Sequence, residues 1–257
     1  MPTALVALIG LAAFVGMIVC SKKKDNPKSK PLAGLFLVIL IVCAGMYLSN
    51  NGIFGEDKTT RDQRSSYSRF EESCAKTLGE YIAKNFASQK VVIVAPGGTE
   101  FDKNPSQSRR ANLVKKYLPN AEVKGLGYTR NPNDAAMMPG ASAKEFNDFF
   151  KQNTDVAVFV LLEDLPYSPM EAAKLTIWKN KGKQKIALLN GDVSMLYPYF
   201  KQDIVTAAVV SKPGLKEADY EKFASKNLDE AFKMRYLLIT SKNVDQHKTN
   251  KRIFRQN

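Results

Sequence analysis

The chain has 257 residues, 38 Lys and Arg against 25 Asp and Glu, a formal charge of +13, three cysteines and one histidine. Cys20 and Cys43 fall in apolar runs and Cys74 stands alone, which excludes an intradomain disulfide framework, a zinc cluster and a redox pair. The lone His247 lies outside the expected core, so a Ser-His-Asp or Cys-His mechanism lacks its base, and no GxSxG, HExxH or P-loop occurs.

In chain order, Thr3 to Cys20 and Leu32 to Leu48 are uncharged apolar runs of 18 and 17 residues. As helices they reach about 27 and 26 Å, close to a hydrocarbon core of roughly 30 Å. Residues 1–48 are therefore expected to form a two-helix transmembrane hairpin. Gly10, Ala12, Ala13 and Gly16 in the first run, with Ala33, Gly34, Ala44 and Gly45 in the second, permit close backbone approach. The connector 21–31 holds Lys22, Lys23, Lys24, Lys28 and Lys30 against Asp25, a net of +4, whereas the linker 49–65 is neutral. Basic residues in short loops stay cytoplasmic. The expected result is an integral membrane protein, in a bacterium of the inner membrane, with its C-terminal domain in the periplasm. A signal peptide cleaved near residue 20 is the alternative and would reverse the topology; it lacks a basic n-region, and Val19 precedes Cys20.

From Ser65 onward, stretches of 3.6-residue period alternate with short β-branched runs, the pattern of βα units around a buried parallel sheet. A lead helix over Ser68 to Ala87 places Phe70, Cys74, Leu78, Tyr81 and Ile82 on one face. Strands are expected at Val91 to Ala95, Glu122 to Gly127, Val156 to Leu162, Lys185 to Leu189, Val205 to Val210 and Tyr236 to Thr240. Helices are expected at Pro105 to Tyr117, Ala143 to Gln152, Pro169 to Asn180, Ser194 to Lys201 and Lys216 to Phe232. The stretch Tyr128 to Ser142, with Pro132, Pro139 and Gly140, reads as a surface loop. Residues 66–241 thus form a soluble α/β domain, a three-layer sandwich with a mostly parallel sheet of five or six strands. The flavodoxin-like order 2-1-3-4-5 is expected, with a Rossmann-like order as the second choice.

The alternation, and phrases such as KIALLNGD (185–192) followed by DIVTAAVVSKPG (203–214), resemble one lobe of a type I periplasmic binding protein. Such proteins clamp ligands between two lobes, and this chain has length for one, so no binding residue is carried over from the resemblance.

In open α/β sheets the crevice lies at the strand carboxyl ends, near the reversal of strand order. The loop after the first strand supplies Gly97, Gly98, Thr99, Glu100 and Asp102; that after the third supplies Glu163, Asp164 and Tyr167; that after the fourth supplies Asn190, Gly191 and Asp192. Gly97, Gly98, Thr99, Glu163, Asp164, Asn190 and Asp192 are the candidate ligand-binding residues. The glycine pair, followed by Arg109 and Arg110, suits an anion held on backbone amides, although Glu100 and Asp102 oppose it and a plain turn accounts for the glycines. The carboxylates suit a cation or acid–base work, or else solvation and helix capping. Trp178 is expected to pack on the sheet.

Residues 242–257 form a basic tail in which Lys242, Lys248, Lys251, Arg252 and Arg255 suit anionic lipid or an acidic partner, or simply fray into solvent. Nucleic acid is disfavoured, because no aromatic interleaving accompanies the charge. The leading reading is a membrane-anchored extracytoplasmic domain that binds or assembles within an envelope complex without catalysis. Its partners are the lipid bilayer and a protein partner or second copy, with no cofactor and no metal. One alternative is a membrane-tethered hydrolase or transferase using the strand-end carboxylates. Another is a single-lobe small-ligand sensor whose cleft a homodimer would close.

Overall fold

The computed structural model describes residues 3–22, 29–50, 58–127, 140–162, 164–166, 168–180, 182–220 and 222–255. Most of the connector, residues 51–57 of the linker and residues 128–139 of the proline-bearing loop lie outside them. The chain divides into two units, Met1–Ser65 and Ser66–Asn257.

In the first unit, helix α1 (Thr3–Lys22) and helix α2 (Ser29–Asn50) are apolar around their circumference. They pack side by side: a Cβ at Gly10 would lie 3.5 Å from Cys43 Cβ, and one at Gly16 would lie 2.7 Å from the Phe36 ring. Ser29–Tyr47, 19 residues, is the one described helix long and apolar enough to cross a membrane; Ile9–Lys22 is a shorter apolar helix.

Helix α3 (Lys58–Asn85) leads into the second unit and buries Phe70, Cys74, Ala75, Leu78 and Ile82 along one stripe. Strands follow at β1 (Val91–Pro96), β2 (Glu122–Leu126), β3 (Val158–Leu161), β4 (Lys185–Leu188), β5 (Val205–Ser211) and β6 (Tyr236–Thr240). They form one sheet in the order β2-β1-β3-β4-β5-β6, parallel except for the β5–β6 pair. The first five strands take the flavodoxin-like order and not the Rossmann-like one. Interleaved helices are α4 (Pro105–Tyr117), α5 (Ala143–Gln152), α6 (Pro169–Ala172), α7 (Tyr197–Lys201), α8 (Glu217–Tyr220) and α9 (Leu228–Arg235).

Side-chain alternation along buried strands builds two cores, one on each face of the sheet. Val92, Val94, Phe159, Leu161, Ile186 and Leu188 meet Phe146, Phe149 and Phe150 of α5, Trp178 and Phe200 on one face. Ile93, Ala95, Val158, Val160 and Ala187 meet Leu78 and Ile82 of α3, Ala111 and Val114 of α4 and Phe232 of α9 on the other. Trp178 is core, as expected: its ring stacks on Tyr199 at 4.0 Å and its Nε1–H donates to Ala172 O at 2.6 Å.

Two expected helices are broken. Pro169 to Asn180 divides into α6 and a 3-10 turn at Thr176–Lys179, because Asn147 reaches in from α5. Its Oδ1 accepts from the Thr176 N–H at 2.7 Å, and its Nδ2 donates to Lys174 O at 3.1 Å. Lys216 to Phe232 divides into α8 and α9, with Asn227 capping α9 by accepting from the N–H of Asp229 at 2.9 Å. The third, Ser194 to Lys201, starts only at Tyr197.

Strand β6 is antiparallel because the excursion after β5 returns to the end it left: the Lys212 N–H donates to Arg235 O at 2.7 Å, beside the Ser211–Tyr236 register pair. The C-terminal tail, for which fraying into solvent was one alternative, is packed in part. Ile253 and Phe254 are buried, and the Phe254 ring meets Tyr197 and Phe200 edge-on at 5.6 and 6.2 Å.

Candidate functional site: the strand carboxyl ends

Strand order reverses at β1, which lies between β2 and β3. The chain leaves β1 toward α4, which packs on one face, and after β3 runs to Leu175, Ile177 and Trp178, which pack on the other, so the two loops part at the strand carboxyl ends.

Gly97 (φ 107°) and Gly98 (φ 62°) both take the left-handed conformation that glycine adopts without a Cβ clash. Their turn is tied to β2. The Gly97 N–H donates to Leu126 O at 3.2 Å, and a Cβ built on Gly125 would collide with the Gly98 carbonyl oxygen. One on Gly98 would lie 3.1 Å from Gly127 Cα. The following helix is capped from within: Asn104 Oδ1 accepts from the N–H groups of Ser106 at 3.0 Å and Gln107 at 3.3 Å. The amides an anion would use at α4 are thereby engaged. The side chains of Thr99 and Glu100, and all of Glu163 and Tyr167, lie outside the described residues.

Asp164 and Asp192 do come together. The Asp164 carboxylate sits against Gly191, where a Cβ would lie 3.0 Å from its Oδ1, and it accepts from the Asp192 backbone. Asp192 Oδ1 accepts from the Ser194 N–H at 2.8 Å. Loss of water around Asp164 raises its pKa; the Asp192 charge adds to the rise, while the Asp192 backbone hydrogen bond and the Arg110 guanidinium pull it down. Asn190 is exposed on the same β4 loop. Arg110, half-buried on α4, bears on Asp164 through its charge alone, whereas its neighbour Arg109 pairs with Glu71 of α3.

The tail bears on the same loop. The Arg255 N–H donates to Ser194 O at 2.9 Å, held there by the buried Ile253 and Phe254. Lys248 Nζ lies 5.5 Å over the Tyr197 ring, and Lys242, Lys251 and Arg252 are exposed. Charge counting hid this placement; the apolar Ile253–Phe254 pair within a basic stretch was its signal. A separate shallow concavity is lined by Asp102, Pro105, Ser108, Arg109, Asn112 and Leu113. Among the described residues, no cluster of three metal-ligating side chains occurs.

No protein-family model matches the chain, and neither does any curated protein sequence. Solved structures of similar fold include a glucose-galactose binding protein from Geobacillus stearothermophilus, at 14% identity over 67% of this chain and 61% of that one, TM-score 0.43. A sugar ABC transport substrate-binding protein from Bordetella parapertussis matches at 15% identity over 69% and 57%, TM-score 0.43. A sugar-binding protein of a sugar ABC transporter from Bacillus halodurans matches at 11% over 68% and 64%, TM-score 0.42. The chain spans about three fifths of the length of these proteins.

Proposed function

We propose that the chain is a membrane-anchored, non-enzymatic single α/β lobe that binds a small polyhydroxylated ligand, such as a monosaccharide, at the carboxyl ends of β1, β3 and β4. The meeting of the Asp164 carboxylate with Gly191 and the Asp192 backbone, in the loops beyond β3 and β4, carries this reading. Paired carboxylates accept from vicinal hydroxyls and a guanidinium donates to them, a complementarity that needs neither metal nor nucleophile. In this reading Ser29–Tyr47 and the shorter apolar helix anchor the protein, and the lysine connector holds the domain on the extracytoplasmic side, in a bacterium the periplasm. A lone lobe covers one side of its ligand, so a second copy or a partner closes the cleft. Assembly within an envelope complex then follows from ligand capture.

The test is calorimetric titration of the purified full chain with glucose, galactose, ribose and arabinose, beside the Asp164→Asn variant. At least one sugar is expected to bind, with affinity falling about 10- to 100-fold in the variant as a charged hydrogen bond is lost. Folding raises the Asp164 pKa, so the ionised carboxylate costs stability above its folded pKa and costs none below its unfolded one. Asp164→Asn is therefore expected to melt no lower at neutral pH, which separates lost binding from lost fold. Absence of heat and of any Tm rise with all four sugars at millimolar concentration would refute the proposal.

A further inference from the structure

We infer that the Asn243 side chain occupies the place of a neighbouring strand along β6 and so keeps that edge of the sheet from pairing with β6 of a second copy. Strand β6 ends the strand order and, among the described residues, pairs with β5 alone. The Lys212 N–H donates to Arg235 O at 2.7 Å and the Ser241 N–H to Thr206 O at 3.3 Å, so the odd-numbered residues from 235 to 241 bond to β5. Alternate residues of an antiparallel ladder turn their peptide groups the other way, and the N–H and C=O groups of Tyr236, Leu238 and Thr240 therefore face outward. A tight turn brings the chain back to them. The Asn243 N–H donates to Thr240 O at 3.2 Å, its Oδ1 accepts from the Thr240 N–H at 2.7 Å, and its Nδ2 donates to Leu238 O at 3.0 Å. A donor to residue 238 together with an acceptor from residue 240 is the bond pair that a parallel neighbour would make opposite Ile239. Reversing the amide would lose both bonds, so its orientation is fixed. The turn is held in place: Val244 is buried in the same core as Ile239, and Asp245 accepts from the Tyr197 hydroxyl at 2.8 Å and from Lys201 Nζ at 2.7 Å.

The sequence of the strand shows what has to be kept out. Sheets protect an exposed edge with charged side chains, proline or a bulge. At the opposite edge β2 carries Glu122 and Lys124, whose charged groups approach to 3.5 Å. Strand β6 reads Tyr-Leu-Leu-Ile-Thr, with neither charge nor proline, and its register with β5 runs without a bulge. Tyr236, Leu237 and Leu238 are half-buried, so apolar surface flanks the outward peptide groups. The strand also complements itself. A two-fold antiparallel pairing centred on Leu238 sets that residue against its own copy and Tyr236 against Thr240, with no like charges opposed. Such a pairing needs the Leu238 carbonyl and both backbone groups of Thr240, the three that Asn243 holds. Asn243 prevails because it is tethered within its own turn, at an effective concentration that a second copy in dilute solution does not match. The edge lies beyond β5, apart from the loops that follow β3 and β4, so the inference stands whether or not those loops bind a sugar.

The test is the mass of the full chain in detergent, by light scattering after gel filtration, for the parent, Asn243→Ala, and Asn243→Ala combined with Leu238→Pro. The parent's mass is the reference, so any association through the apolar helices is common to all three. Asn243→Ala is expected to reach at least twice the parent's mass, more so as protein concentration rises, with slower hydrogen exchange at the Leu238 amide than in the parent. Proline at 238 removes an outward N–H and spares the ladder to β5, and is expected to restore the parent's mass. Where proline unfolds the domain, Asn243→Asp takes its place: a carboxylate cannot donate to Leu238 O, so the turn loosens as it does with alanine, but a charge stays on the edge and the parent's mass is expected. A folded Asn243→Ala that keeps the parent's mass at the highest concentration reached overturns the inference. Association that persists with proline at 238 or aspartate at 243 overturns it as well, since the contact then lies elsewhere than β6.

Discussion

At Gly125 a single hydrogen decides whether β2 can pair with the turn that follows β1. Any Cβ there collides with the Gly98 carbonyl oxygen, backbone that cannot swing aside as a side-chain tip does. Gly125→Ala is expected to cost about 3 kcal/mol, lowering Tm by roughly 6–12 °C for a domain of this size; an unchanged melting curve would show that β2 does not hold this register. The glycine pair at 97 and 98 was visible in the sequence as a feature demanding explanation, and both an anion cradle and a plain turn fitted it. What separates them is the contact with Gly125, 27 positions on, which no local pattern encodes. The carboxylates were legible in another way. Asp164 and Asp192 each end a buried apolar run, so once β3 and β4 are adjacent their loops must meet.

Elements with strong local signals match the sequence reading closely. Helix α4 begins at Pro105 behind an Asn cap, α5 begins behind the Ser142–Glu145 capping box, and both coincide with the expected ranges, as does β6. The two divided helices share a cause, side chains that bond backbone far away in sequence. Asn147 ends one helix 27 residues on, and Arg235 holds the gap in another from 13 and 15 residues downstream. Periodicity supports a helix in both places, and tertiary hydrogen bonds override it. The C-terminal segment shows the same conflict between a net charge that favours solvent and two apolar side chains that favour the core. Burial wins: Phe254 fills a site between Tyr197 and Phe200, and Tyr197 and Lys201 further bind Asp245 at 2.8 and 2.7 Å. Phe254→Ala is expected to cost about 3 kcal/mol, read as a lower urea midpoint at unchanged slope. A variant as stable as the parent would return the segment to solvent and remove Arg255 from the β4 loop.

For the whole molecule the decisive asymmetry is electrostatic. The connector between the apolar helices carries a net of +4 and the linker beyond them none, although both flank the same apolar segment. On the proposed reading, in which both helices insert, retention of the connector in the cytoplasm fits that imbalance, since translocating five ammonium groups is far costlier than translocating a neutral stretch. On that reading the body of the protein is then exported. Protease added to spheroplasts is expected to digest residues 66–257, whereas replacing Lys22, Lys23, Lys24, Lys28 and Lys30 by Gln removes the bias and leaves a fraction of the chains protected until lysis. Two outcomes oppose this. Full protection of the parent chain would place the lobe in the cytoplasm, away from any extracellular solute. Equal digestion of parent and variant would show that something other than the lysines orients the pair, and the anchor would have to be explained by the order of insertion of the two helices.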